Sequence, residues 1–249
     1  MALNPPSVRM LDASIDPEAE SEFRFLVDEK HVKYVTIDGG IYDVDDMCFE
    51  PALIPRTGKV RFALNTKEQL PGITKTWHPV RVDHLELQRG ERLGAMVYEA
   101  TCPRFASTVV IKYACFPWEV QYLDKETAAY ELLEGHGIGP PFLAHLTEEG
   151  RVIGFVVGLV ADFRHASPDD FHLCRDALAT LHDLGFTHGD INKHNFLIHD
   201  GRATLIDFES VSRAGASEQK DELDRLMGEL LDTSGRGGFV VVEAEDDSP

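Results

Sequence analysis

The sequence is short of basic charge. Against 43 aspartates and glutamates it carries 24 lysines and arginines, a formal net charge of −19. That balance argues against a nucleic-acid or anionic-membrane surface, both of which want basic patches. Cysteine is also scarce: four residues, well separated and with no C-x-x-C pair, point to reduced thiols rather than a disulfide or zinc framework. No apolar run reaches the length of a membrane span, and the opening MALNPPSVRMLDAS lacks the apolar stretch of a secretion signal. The expected location is therefore the cytoplasm, or the nucleus. No internal repeat is visible. What remains is a globular composition, 43% hydrophobic over 249 residues, enough for a substantial core. Residues 1–20 read as flexible, and the acidic end of the chain, residues 236–249 with EAEDDSP, reads as disordered.

Against these absences stands one dense run, HGDINKHNFLIHDGRATLIDFE, from His188 to Glu209. Phe196 to Ile198 and Ala203 to Ile206 are apolar, with Asp200-Gly201 between them. Asp-Gly between apolar runs is a strong hairpin signal, because a type I′ turn needs positive φ at both central residues. A two-residue loop sets His199 opposite Arg202, Ile198 opposite Ala203, Leu197 opposite Thr204 and Phe196 opposite Leu205. One further step puts Asn195 opposite Ile206, beside Asp207, with Asp190 in the loop just before. An amide oxygen and a carboxylate held together suit a hard cation such as Mg²⁺, which fills its shell from water and substrate phosphates. Asp190 is then free to orient and deprotonate a hydroxyl. His188 reads as a packed strut for the loop.

H-G-D-x-x-x-x-N followed by D-F-E resembles the catalytic and metal-binding loops of the protein-kinase-like superfamily. The form with glycine after histidine and glutamate after Asp-Phe is most similar to aminoglycoside and choline phosphotransferases and small atypical kinases. The resemblance spans residues 82–232. It implies an α+β, two-lobed protein-kinase-like fold: an antiparallel-sheet N-lobe over residues 82–160 and a short, mostly helical C-lobe over residues 161–235. It also implies ATP and Mg²⁺, with Asp190 as catalytic base and Asn195 and Asp207 as metal ligands.

Such a fold makes demands upstream. Thr108 to Ala114, TVVIKYA, is a β-branched strand carrying one lysine, Lys112, which is costly to bury without a partner. Residues 117–134 read as a helix closed by Gly135. On it Glu126 shares a face with Leu123, Ala129, Tyr130 and Leu133, so it is the acid placed to meet Lys112. The family pattern agrees, since its helix glutamate precedes a similar Ala-Ala-aromatic-x-Leu-Leu run. Val82 to Gln88 and Ala95 to Ala100 read as strands around a turn over 89–94 that holds Gly90 and Gly94. G-x-G-x-x-G is not met, but the position implies a cover over the phosphates. Val152 to Val160 is a buried strand leading into a connector near Gly158 to Asp162, and by resemblance backbone groups of that connector, at Leu159 and Val160, hold the adenine. Ser167-Pro168-Asp169-Asp170 opens a helix with Phe171, Cys174, Leu178 and Leu181 on one face.

Residues 21–81 lie outside the resemblance. Phe23 to Val27 and Val32 to Ile37 suggest a hairpin, followed by a proline-rich, irregular stretch to Trp77-His78-Pro79, which either extends the small-lobe sheet or covers it. After Asp207 only one helix is clear, Gln219 to Leu231, with Leu223, Met227 and Leu230 on one face. No long activation segment or Ala-Pro-Glu signature follows, and Gly189 stands where regulated protein kinases carry an arginine. Switching by activation-loop phosphorylation is not expected. The sequence thus points to an ATP- and Mg-dependent phosphotransferase acting on a hydroxyl acceptor, small molecule or protein. The alternatives are a pseudokinase working through partners and a metal-dependent hydrolase built on His188, Asp190 and Asp207; the latter leaves Lys112 and Glu126 unexplained.

Overall fold

The computed structural model describes residues 7–41, 47 and 71–238. The chain begins with a three-stranded antiparallel sheet of β1 (Val8–Ser14), β2 (Ser21–Val27) and β3 (His31–Ile37). A six-stranded sheet follows: β4 (Arg81–Asp83), β5 (Gln88–Arg92), β6 (Val97–Thr101), β7 (Val109–Tyr113), β8 (Phe142–Glu148) and β9 (Arg151–Gly158). Its order is β4-β8-β9-β7-β6-β5. All its neighbours are antiparallel except β4 and β8, which run parallel, so the sheet is mixed rather than purely antiparallel as expected. Three helices are seen among the described residues: α1 (Val120–Leu133), α2 (Phe171–Asp183) and α3 (Ala216–Leu231). Among the short strands between them are β10 (Arg164–His165), β11 (Phe186–Thr187), β12 (Phe196–His199), β13 (Arg202–Leu205) and β14 (Ser212–Arg213).

Strand alternation sorts the central side chains. Ile111 and Tyr113 are buried on one face of β7, while Val110 and Lys112 point to the other, where α1 lies. Gly154, across from Tyr113, has no space for a side chain: a Cβ would fall 2.1 Å from the Lys112 carbonyl oxygen. Behind Lys112, Leu123, Tyr130, Phe142, Phe155, Leu178, Leu181, Phe196, Leu205 and Phe208 form one buried cluster joining α1, α2 and the hairpin. Phe208 meets Tyr130 edge-on at 5.1 Å between ring centres.

The N-terminal sheet covers the six-stranded one through a buried polar clasp. Arg24, 2% exposed, donates from Nε to Glu148 at 2.8 Å and from Nη1 to Asp12 at 2.8 Å. Glu148 also accepts from the Tyr34 hydroxyl at 2.9 Å and from Arg151 at 2.6 Å. Opposed charges and hydrogen bonds fill the shell, as burial of an arginine requires.

Several expectations are corrected. Val8–Ser14 are not flexible but form β1, because Val8 and Met10 pack against Phe23 and Phe25. The strand expected over Val82 to Gln88 stops at Asp83, whose carboxylate caps Leu85 N at 2.9 Å and whose own N–H reaches Glu86 at 3.3 Å. That capping box starts a short 3₁₀ turn over His84–Glu86. Strand β5 then runs through Gln88–Arg92, so the hairpin tip begins at Leu93 rather than Arg89. Helix α3 starts at Ala216, and its buried residues are Glu222, Leu226 and Leu230; Leu223 packs half-buried against the same core, while Met227 is exposed. The proline-rich stretch after β3 falls largely at 42–46 and 48–70, and the acidic tail at 239–249; both lie outside the described residues.

Candidate active site

The hairpin forms in the expected register: Phe196 opposite Leu205, Leu197 opposite Thr204, Ile198 opposite Ala203 and His199 opposite Arg202. Asp200 and Gly201 have φ of 47° and 70°, both positive as a type I′ turn needs. The ladder continues one step, with Ile206 N donating to Asn195 O at 3.1 Å, which brings Asn195 and Asp207 to the same end. Asn195 Nδ2 donates to the Asp190 carbonyl at 2.9 Å and to its carboxylate at 3.3 Å. Asn192 Nδ2 adds a third bond to Asp190 Oδ2 at 2.9 Å. Asp190, Asn192 and Asn195 therefore hold one another. With its nitrogen committed to Asp190, Asn195 has its amide oxygen as the atom that could meet a cation.

Lys112 joins the second cluster. Its Nζ lies 2.7 Å from Glu126 Oε2 and 2.6 Å from Asp207 Oδ1. Burial works against the ammonium, but the charges of Glu126 and Asp207 and hydrogen bonds to both outweigh it and raise the pKa of Lys112. Burial is the largest influence on Glu126 and pushes its carboxyl up, with Lys112 opposing. Asp207 is a non-glycine residue in the left-handed region, φ 66° and ψ 66°. Such strained positions cluster at functional sites and cost about 1–3 kcal/mol. Among the described residues no three His, Cys, Asp or Glu side chains gather as a metal cluster. A cation at Asn195 and Asp207 would thus draw on water and phosphate oxygens, as magnesium does.

The remaining expected residues are placed but not drawn into these clusters. Gly90 lies within β5 and Gly94 at the hairpin tip, where its N–H donates to Val97 O at 3.1 Å. Leu159 and Val160 follow β9, half-buried. His188 is a strut, as expected: it is fully buried, Nε2 meets Ile206 O at 3.0 Å, and burial lowers its pKa.

One residue was missed. Glu222, 1% exposed, accepts from His188 N at 3.1 Å and Gly189 N at 2.7 Å, and lies 2.8 Å from His182 Nε2. It fastens the loop that carries Asp190 to α3. Gly189 has φ +84°, and a Cβ there would fall 2.6 Å from Ser210 O, so the position beside the clasp admits no side chain. The signal was available: Glu222 is an acid on the Leu226–Leu230 stripe, the same anomaly that singles out Glu126.

Comparison with known proteins bears on this geometry. Residues 172–236 match the Lipopolysaccharide kinase (Kdo/WaaP) family, a stretch that holds α2, the His188–Asp207 run and α3. The chain is also similar to a "Probable bifunctional tRNA threonylcarbamoyladenosine biosynthesis protein" from Methanoculleus marisnigri, 30% identical over 84 residues, 34% of this chain and 16% of that protein. A protein of the same description from Methanospirillum hungatei is 23% identical over 108 residues, 43% of this chain and 21% of its own length. The chain thus spans only a minor part of the curated relatives it matches. The family match supports a kinase-like phosphotransferase. The family model matched is that of the lipopolysaccharide kinases.

Proposed function

We propose that the protein is an ATP- and magnesium-dependent phosphotransferase with a two-lobed, kinase-like arrangement. The observation that carries this reading is the convergence of Lys112, Glu126 and Asp207 within 2.7 Å at one end of a hairpin whose other strand carries Asn195, bonded to Asp190. Lys112 would contact the α- and β-phosphates while Glu126 keeps it aimed. Asp190 would accept the proton of the acceptor hydroxyl as its oxygen bonds to the γ-phosphorus and the β–γ bridging P–O bond breaks, releasing ADP. Asn195 and Asp207 would hold the metal, which when bound neutralises charge on the phosphates. The β5–β6 hairpin with Gly90 and Gly94 would cover the nucleotide, and backbone groups at Leu159 and Val160 would receive the adenine.

Phosphoryl transfer asks mainly for positioning and charge neutralisation, so a small set of fixed side chains suffices. The relatives' description names tRNA biosynthesis, but a net charge of −19 favours an acceptor hydroxyl on a small molecule or protein over nucleic acid. A thermal-shift titration tests the reading. Mg²⁺-ATP at a hundredfold excess over its Kd should stabilise the protein by about 2.7 kcal/mol. An unchanged melting point at millimolar Mg²⁺-ATP would sink it.

A further inference from the structure

Beyond α3 the chain stays with the candidate site. Lys193 Nζ donates to the Asp232 carbonyl at 2.6 Å. Gly237 lies against Asn192: a Cβ there would fall 2.6 Å from the carbon, nitrogen and oxygen of that amide. Asn192 is the residue whose Nδ2 meets Asp190 Oδ2 at 2.9 Å. Gly238 rests in the same way on the His194 ring, where its Cβ would be 3.1 Å from Nε2. The segment from Asp232 to Gly238, DTSGRGG, is therefore laid across the loop that carries the candidate base.

Between its anchors at Asp232 and Gly237 stand two exposed hydroxyl residues, Thr233 and Ser234. Ser234 Oγ donates to Asp232 Oδ2 at 2.9 Å and accepts from Arg236 N at 3.3 Å. Gly238 N to Gly235 O at 3.0 Å closes a turn just after it. An extended chain covers at most about 3.3–3.6 Å per residue, so Ser234 lies within about 10 Å of the point where Gly237 meets Asn192. Ser234 is therefore tethered on both sides to the loop that carries Asp190, through Asp232 on Lys193 and Gly237 on Asn192.

We propose that Ser234 is an acceptor of the protein's own phosphoryl transfer, a cis-phosphorylation site laid over the loop that would modify it. The proposal rests on the phosphotransferase reading above. Ser234 Oγ bonds to the γ-phosphorus of ATP, its proton passes to the Asp190 carboxylate, and the β–γ bridging P–O bond breaks to release ADP. The product is a serine phosphate flanked by Lys193 and by Arg236, whose Nη2 is bonded to Glu229. Arg236 Nε lies 3.8 Å from Asp232 Oδ2, the atom that now receives the serine proton, and Lys193 grips the carbonyl two residues earlier. An ammonium is a natural partner of a phosphate dianion, and Lys193 stands on the loop itself, so modification would bind the segment more tightly across the loop.

The test incubates the full chain with Mg²⁺-ATP and follows ADP release, intact mass and phosphopeptides together. One phosphate should appear on Ser234, at a rate independent of protein concentration. It should be lost in Ser234→Ala and in Asp190→Asn, while Ser234→Ala keeps the wild-type thermal shift with Mg²⁺-ATP. ADP release with no phosphate on Ser234, or with phosphate on Thr233 instead, overturns the proposal and leaves the phosphotransferase reading standing. So does a rate that rises with protein concentration. Absence of both ADP release and a thermal shift overturns the proposal together with the reading beneath it.

Discussion

Replacing Glu222 by alanine removes the one carboxylate that gathers the loop carrying Asp190. In the native protein its two oxygens accept from His188 N at 3.1 Å and Gly189 N at 2.7 Å, and Oε2 meets His182 Nε2 at 2.8 Å. The carboxylate is 1% exposed, so all three donors lose their partner inside the fold. Each stranded donor in such a site costs about 1–3 kcal/mol, so Glu222→Ala should lose about 3–5 kcal/mol. With a urea m-value of about 2–3 kcal/mol/M, the unfolding midpoint falls by about 1–2 M at unchanged slope. Glu222→Gln keeps one acceptor oxygen and turns an NH₂ towards the other donor, so it should lose about half as much. ATP affinity should hold better than turnover in both variants, because Lys112 and Glu126 are fixed from β7 and α1. An alanine variant within about 1 kcal/mol of wild type, or a glutamine variant as damaged as the alanine one, would refute the clasp.

Other substitutions probe other links. Gly189→Ala and Gly201→Ala both place a side chain at positive φ, but only at Gly189 does the Cβ meet an atom, Ser210 O at 2.6 Å, while Gly201 faces open space. Gly201→Ala should cost about 1 kcal/mol and Gly189→Ala at least twice that, read from urea midpoints. His145 is fully buried, and burial, then the charges of His78 and Arg81, lower its pKa to about 4. Between that value and the ordinary 6.5 the unfolded chain binds the extra proton. Stability is therefore full above pH 6.5 and falls with pH through the window, by about 2 kcal/mol between pH 6.5 and 5. His145→Gln should flatten that part of the pH profile, and a slope unchanged by the substitution would count against the assignment.

What could be read from the sequence, and what could not, follows from where the signal resides. The β12–β13 register was legible to the residue because an Asp-Gly turn admits one pairing, and side-chain alternation penalises a slip. Lys112 and Glu126 announced themselves as charges on apolar surfaces, and the structure brings them to 2.7 Å. Glu222 carries the same mark, but phasing α3 on Leu223 and Met227 turned it outward. Strand β1 was hidden because its burial depends on Phe23 and Phe25 of the next strand rather than on its own pattern. The contact between Gly237 and Asn192 leaves no trace in residue type beyond a glycine, since the backbone makes it.

Asp190, Asn195, Asp207, Lys112 and Glu126 are proposed to transfer phosphate from ATP together. Magnesium-dependent ADP release by the full chain, compared with Asp190→Asn, tests this proposal most directly. General-base removal should lower turnover by about 10²–10⁴-fold while Mg²⁺-ATP still shifts the melting point. Turnover that persists unchanged in Asp190→Asn would contradict the account.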